Sequence, residues 1–359
     1  MDNSTRNGSA HHHHHHRHRK FRNARHWVKK NKPLVIFTVI LALVVAGCAG
    51  VWAHSFITRQ SKYHVTATNS TDVGTGYRNL TYNGQNYQYN NLITTILVIG
   101  VDSEGSLGTT AYTNAPRADS INLVILDKQN KKMTIMALNR DTMTEVQRYS
   151  MSGSLRDTYT THLGYAYTYG DGMEVSCENT VTAVENLLGG IPIDEYIATN
   201  VSALPYINSL VGGVTVTVPN EDLAEDYTEF QKGNVVTLDD SNIEAFLRSR
   251  DTAEDFSNDG RMERQRVFMT AFVDQFITRI SEDLNGTWSD IEKADEYALT
   301  SITKNEYITL ANLLLSIDID ECDYYTPEGE DYLGTLHDEF YIDEEALQEK
   351  ILELFYLPV

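Results

Sequence analysis

The sequence predicts an α/β fold: a layered sheet covered by helices on both faces, preceded by one membrane-spanning helix. Three observations carry this. Short apolar runs bounded by glycine or polar loops mark buried strands, helical apolar stripes stand between and after them, and one 20-residue stretch, Leu34–Ala53, contains no charge.

The elements follow in order. Residues 1–33 form a basic arm. Residues 1–53 hold nine Lys/Arg and one acid, a balance of +8, so the remaining 20 basic and 49 acidic residues carry −29 of the total −21. Leu34–Ala53 has the length a helix needs to cross a hydrocarbon core of about 30 Å. Lys29, Lys30 and Lys32 precede it, which keeps the N-terminus cytoplasmic and the long C-terminal part outside. The competing readings are a cleaved signal peptide, whose apolar core would be only about 7–15 residues, and a lipidated Cys48 in Val45-Ala-Gly-Cys48. The His11–His16 run reads as an affinity tag or a natural arm and is given no metal role. Residues 54–91, rich in Thr, Asn, Tyr and Gly, read as an extracytoplasmic stalk.

Residues 92–359 read as the folded domain. Ile93–Gly100, Ile121–Leu126 and Met133–Leu138 are strands, with 127–132 a hairpin loop between the last two, and Val214–Val218 is a fourth. Helices are expected at Glu174–Leu188, stopped by Gly189-Gly190, at Arg261–Ile280 and at Asp343–Phe355. Cys177 and Cys322 permit one disulfide but define no disulfide scaffold.

The strongly negative domain argues against nucleic acid as a partner. Arginines nonetheless gather in four phrases: Arg117-Ala-Asp119, Asn139-Arg140-Asp141, Arg248-Ser-Arg250 and Gly260-Arg261-Met-Glu-Arg264-Gln265-Arg266. Arginine's planar fork suits bidentate phosphate contacts. Arg261, Arg264 and Gln265 have i, i+3, i+4 spacing in the first turns of a helix, where a cation is unfavourable unless an anion offsets it. Surface salt bridges to Asp251, Glu254, Asp255 and Asp259 are the equally weighted alternative. Arg248 and Arg250 point together only if their segment is extended. Asp102 follows the first strand, Asp119 precedes the second and Arg140-Asp141 follows the third, so all can meet at one sheet rim, where open sheets bind ligands. Two carboxylates with phosphate oxygens suit Mg²⁺, although Asp102 taken alone reads better as the cap of a turn or helix. No GxxxxGK[ST] loop or G-x-S-x-G elbow is present, which disfavours an NTPase and a serine hydrolase.

These phrases, with those at 97–103, 117–142, 162–172, 186–197, 210–219, 246–251 and 259–266, resemble the LytR-CpsA-Psr family over residues 92–356. The resemblance implies a three-layer α/β/α sandwich with a mixed central sheet. It also implies a single-pass membrane enzyme with its catalytic domain extracytoplasmic. Its implied activity is transfer of an anionic or secondary wall glycopolymer from a polyprenyl-pyrophosphate carrier to peptidoglycan, forming a phosphodiester. Asp102 and Asp119 would hold Mg²⁺; Arg117, Arg140, Arg248, Arg250, Arg261, Arg264 and Gln265 would bind pyrophosphate. Asp102, Asp119, Arg140 and Asp141 form the expected catalytic set, with Asp119 or Asp141 as proton acceptor. A Mg²⁺-dependent pyrophosphatase and a non-catalytic lipid-binding scaffold are the rival expectations. Three departures stand out: a long 103–116 loop, Thr144 where many members carry arginine, and His162 where lysine is frequent.

Overall fold

The structure is a computed structural model that describes residues 78–249, 258–317, 322–334 and 338–359. The expected basic arm, membrane helix, Cys48, the 54–77 part of the stalk, and Arg250 lie outside the described residues. Among the described residues no helix is long and apolar enough to cross a membrane.

The chain first forms a hairpin, β1 (Asn79–Tyr82) and β2 (Gln85–Tyr89). Asn83 and Gly84 both have positive φ, the geometry of a hairpin turn that matches strand twist. The last part of the expected stalk is therefore folded onto the domain: β2 pairs β15 (Tyr356–Pro358) at the other end of the chain, and the buried Tyr89 meets Tyr356 edge to face at 5.8 Å.

The central sheet begins with β3 (Ile93–Val101), β4 (Ala118–Asp127) and β5 (Lys132–Leu138), all antiparallel neighbours. Asp127 closes the β4–β5 turn by accepting from the amides of Gln129 and Asn130 at 2.8 and 2.9 Å. A second hairpin, β6 (Met143–Tyr149) with β7 (Leu155–His162), leads into a single turn α1 (Tyr165–Thr168) and then α2 (Glu174–Leu187). Gly189 and Gly190 take positive φ and end α2 where expected. β8 (Glu195–Asn200) runs parallel to β3.

After α3 (Leu204–Leu210), β9 (Thr215–Thr217) pairs β10 (Val235–Thr237) and, among the described residues, no other strand, so the strand expected at 214–218 belongs to a small separate sheet. With α4 (Ile243–Arg248) and the start of α5 (Asn258–Glu282) it encloses its own apolar core around Phe230 and Phe246. α6 (Leu284–Ile291), β11 (Ala298–Thr300) and α7 (Lys304–Leu314) follow. β12 (Cys322–Tyr325) completes the six-stranded mixed sheet, whose order is β11-β8-β3-β4-β5-β12. A last hairpin, β13 (Gly329–Leu333) and β14 (Asp338–Ile342), precedes α8 (Glu344–Phe355). Asp343 caps α8 by accepting from the amides of Glu345 and Ala346 at 3.0 Å.

Alternation along the strands sends side chains to opposite faces. Leu97, Ile99, Leu123 and Ile125 pack with Val184 of α2 and Leu347 and Phe355 of α8. Ile96, Val98, Val124 and Leu126 face the other way, toward Val273 of α5 and Leu310 and Leu313 of α7. The result is helices on both faces of a mixed sheet. Full burial of each such aliphatic side chain contributes about 1.5–3 kcal/mol. Cys177 and Cys322 are free thiols, so the permitted disulfide is not formed; burial pushes the Cys322 thiol up to about 11.

Candidate functional site

The site grows from one irregularity in the sheet. Along β3 and β4, Gly100 pairs Ser120 but Val101 pairs Ala118, so Asp119 has no partner and forms a bulge. Bulges re-aim a side chain at a strand end, and here the side chain is the carboxylate expected at the rim. Three guanidiniums from three chain segments converge on it. Arg140, just after β5, hydrogen-bonds Asp119 Oδ1 through Nη1. Arg261 of α5 donates to Oδ2 at 3.4 Å, and Arg117 Nε lies 3.6 Å from Oδ1. Arg140 also places Nε 3.5 Å from Asp141 Oδ1. Arg140 and Arg261 are only 5% and 4% exposed. Burial alone would raise the Asp119 carboxyl, but Arg140, Arg261 and Arg117 outweigh it and hold it below the usual aspartate value.

Buried guanidiniums carry a large desolvation cost unless anions meet them. Around Asp119 three cations face that carboxylate, and Arg140 also faces Asp141.

The backbone that positions these groups is tightly stitched. Asn139 Oδ1 accepts from the Asp141 amide at 2.9 Å, shaping the turn that presents Arg140. Gly164 donates its amide to Arg140 O at 2.9 Å and accepts from the Ala118 amide at 3.1 Å. A Cβ on Gly164 would fall 2.6 Å from Ala118 O and 3.2 Å from Arg117 Cγ, so only glycine fits. The sequence reading did not single out Gly164; this close approach leaves no local signal beyond the glycine itself. Arg117 is steered by Tyr165, whose ring centre lies 5.3 Å from its guanidinium carbon.

Asp102 shares the rim. Its amide bonds Arg117 O at 2.9 Å, and its carboxylate accepts from Arg248 Nη2. Arg248 is the last residue of α4 and also donates to Glu244, one turn back. It thus sits at a helix C-terminus, where a cation is favoured. Asp102 and Asp119 present carboxylates on adjacent strand ends, the hard oxygen donors that Mg²⁺ takes, and both carboxylates are held by arginines. Among the described residues no three His, Cys, Asp or Glu gather as a protein-only metal site.

The three expected residues of α5 diverge. Arg261 reaches Asp119. Gln265 donates to Leu247 O at 3.1 Å and, with Asp119, Arg140, Met262 and Tyr324, lines a narrow crevice between the sheet and α5. Arg264 does not join them. It is fully buried and donates Nε to Phe246 O at 2.9 Å, Nη2 to Ser249 O and Nη1 to Asp222 Oδ2 at 2.8 Å. These carbonyls end α4 and lack intrahelical donors, so Arg264 is committed to joining α4 to α5 rather than to an external anion. Gly260 makes room for this pair: a Cβ there would lie 1.8 Å from Asp222 Oδ2.

His162 and Thr144 sit on the β6–β7 hairpin beside the site. His162 Nε2 lies 3.0 Å from Asp338 O and its ring 5.6 Å from that of Tyr165, while Thr144 is buried opposite Thr161.

Comparison with known proteins agrees with this architecture. The chain is 30% identical over 261 residues to the polyisoprenyl-teichoic acid–peptidoglycan teichoic acid transferase TagV of Bacillus subtilis (strain 168), covering 70% of this chain and 60% of that protein. It is 32% identical over 213 residues to the enzyme of the same description, TagU, of Bacillus cereus (strain ATCC 14579), covering 58% of each. The chain thus spans about 60% of the length of these relatives. The crystal structure of B. subtilis TagV superposes with a TM-score of 0.54 at 26% identity, covering 74% of this chain and 97% of that one. The LytR_cpsA_psr family pattern matches residues 54–353, and the chain belongs to that family.

Proposed function

We propose that the chain transfers a wall glycopolymer from a polyprenyl-pyrophosphate carrier to peptidoglycan as a phosphodiester. The observation that carries this is the bulged Asp119, at a rim shared with Asp102, drawing guanidiniums from three separate segments. The described activity of the TagU and TagV relatives supports the same reading.

Arg140, Arg261 and Arg117 would bind the pyrophosphate oxygens, turning from Asp119 to the ligand, and Arg248 would turn likewise from Asp102. Mg²⁺ held by Asp102 and Asp119 would supply charge neutralisation on the departing lipid phosphate. Once turned onto the ligand, the guanidiniums would do the same as negative charge moves to the leaving group. The acceptor hydroxyl needs a proton acceptor. Asp119 is tied to three guanidiniums and held acidic, whereas Asp141 has a looser 3.5 Å contact to Arg140; we assign the base to Asp141. The lipid tail is assigned to the second sheet face, where Val98, Val124 and Ile197 stay half-buried near Val273. Leu34–Ala53 would anchor the chain by a single pass, with the domain outside the cytoplasm.

The test incubates labelled lipid-pyrophosphate glycan, peptidoglycan oligomers and Mg²⁺ with the full chain. Covalent label on the oligomer is expected. No transfer under conditions where a known ligase works overturns the proposal. Release of free glycan phosphate instead identifies a pyrophosphatase, and binding without turnover a scaffold.

A further inference from the structure

The β13–β14 hairpin is docked directly on the site loop but contributes no group to the phosphate chemistry. The Phe340 amide donates to Asp141 O at 3.0 Å, Thr142 bridges Phe340, and Asp338 O meets His162 Nε2. Its inward face is buried through Phe340.

Its outward face has a different character. Glu330 pairs Tyr341 and Tyr332 pairs Glu339 across the strands. Each tyrosine hydroxyl also donates to the glutamate two residues along its own strand, Tyr332 to Glu330 and Tyr341 to Glu339, the latter at 2.9 Å. These bonds fix two large aromatic rings that remain 50% and 46% exposed. The ring centres are 5.4 Å apart and the planes 87° to one another, so they form a corner. The corner opens on a shallow trough whose lining includes Glu328 and Asp343 and, among the described residues, no lysine or arginine.

This arrangement specifies its ligand chemically. Fixed tyrosines offer contact area at low entropic cost, and a ring corner suits the apolar face of a sugar. Carboxylates are acceptors only, so they match a ligand rich in hydroxyl and amide donors. Four of them repel phosphate- or carboxylate-bearing polymers. The carboxylates disfavour an anionic donor polymer, and an uncharged amino-sugar strand fits.

We propose that the outward face of this hairpin is a saccharide subsite that binds a non-acidic stretch of amino-sugar chain and holds it beside the Arg140-Asp141 loop. Its role as the acceptor subsite rests on the transferase reading above; its saccharide binding does not.

The experiment titrates the full chain with a soluble N-acetylglucosamine tetramer, read by calorimetry. The wild type binds saturably. Tyr332→Ala/Tyr341→Ala weakens binding about tenfold or more, while Tyr332→Phe/Tyr341→Phe, which keeps the rings, stays within about twofold. A glycerol phosphate oligomer binds poorly to the wild type and better to Glu330→Gln/Glu339→Gln. In the transfer assay the double alanine variant raises the KM for acceptor and leaves the KM for lipid donor unchanged. The half-exposed positions keep the fold intact, and Tyr341→Ser alone repeats the test with one ring. No tetramer binding by the wild type at about 10 mM, or equal binding by the alanine variants, overturns the subsite. If tetramer binding is lost in the variants while the wild type transfers nothing, the subsite stands and the transferase reading falls.

Discussion

Arg261 and Arg264 stand one helical turn apart in the same phrase, yet the structure uses them oppositely. Arg261 joins Arg140 and Arg117 around a single bulged carboxylate at the sheet rim. Arg264 is closed off, its donors taken by Asp222, Phe246 O and Ser249 O. The two arginines are thus separated by where their donors go, to a strand-end carboxylate at the rim or to the carbonyls of another helix and Asp222. Residue type and helical position do not distinguish them.

The sharpest way to break this comparison is Arg140→Ala. Removing a buried cation aimed at developing charge should lower kcat/KM about a hundredfold or more, on the order of 3 kcal/mol; steady-state transfer kinetics measures it. Arg264→Ala should show the reverse pattern. It strands Asp222 and the α4 carbonyls and should cost about 3 kcal/mol in urea unfolding, with lipid-pyrophosphate affinity per folded molecule little changed. A large affinity loss without loss of stability would place Arg264 in the binding set after all.

Gly164→Ala tests the frame beneath the site. The added methyl group presses on Ala118 O and Arg117, and overpacking of this kind costs about 1–3 kcal/mol. Activity should fall further than stability, because the displaced segments carry Arg117 and Arg140; thermal unfolding run beside kinetics separates the two.

The smallest effect is in pH. Asp119 is held below its unfolded value near 3.8, so its contribution to stability is fully present above that value and is lost as pH falls through the lowered folded value. Unfolding free energy measured from pH 5 downward should fall more gently in Asp119→Asn than in the wild type.

Much of the site was legible in the chain. Asp102, Asp119 and Arg140 flank apolar runs, so their place on one rim followed from strand positions. The hidden parts depend on distant partners. Arg264 is claimed by Asp222, some forty residues earlier, and by carbonyls of another helix, none of which local spacing reveals. The β1–β2 hairpin carried the signal Asn83-Gly84, but its flanks are polar because the two strands bury only Tyr89 fully, and the segment read as a stalk. The β13–β14 hairpin is hidden for a similar reason: its outward face is glutamate and tyrosine, so no apolar alternation marks it.

The central claim is that the guanidiniums around Asp119 form an anion site. Calorimetric titration of the full chain with a short polyprenyl pyrophosphate and Mg²⁺ addresses it directly, comparing wild type, Arg261→Ala and Arg264→Ala. The account predicts saturable binding by the wild type, about tenfold or greater weakening in Arg261→Ala, and near-wild-type affinity in the folded fraction of Arg264→Ala. Equal affinity in wild type and Arg261→Ala would contradict it.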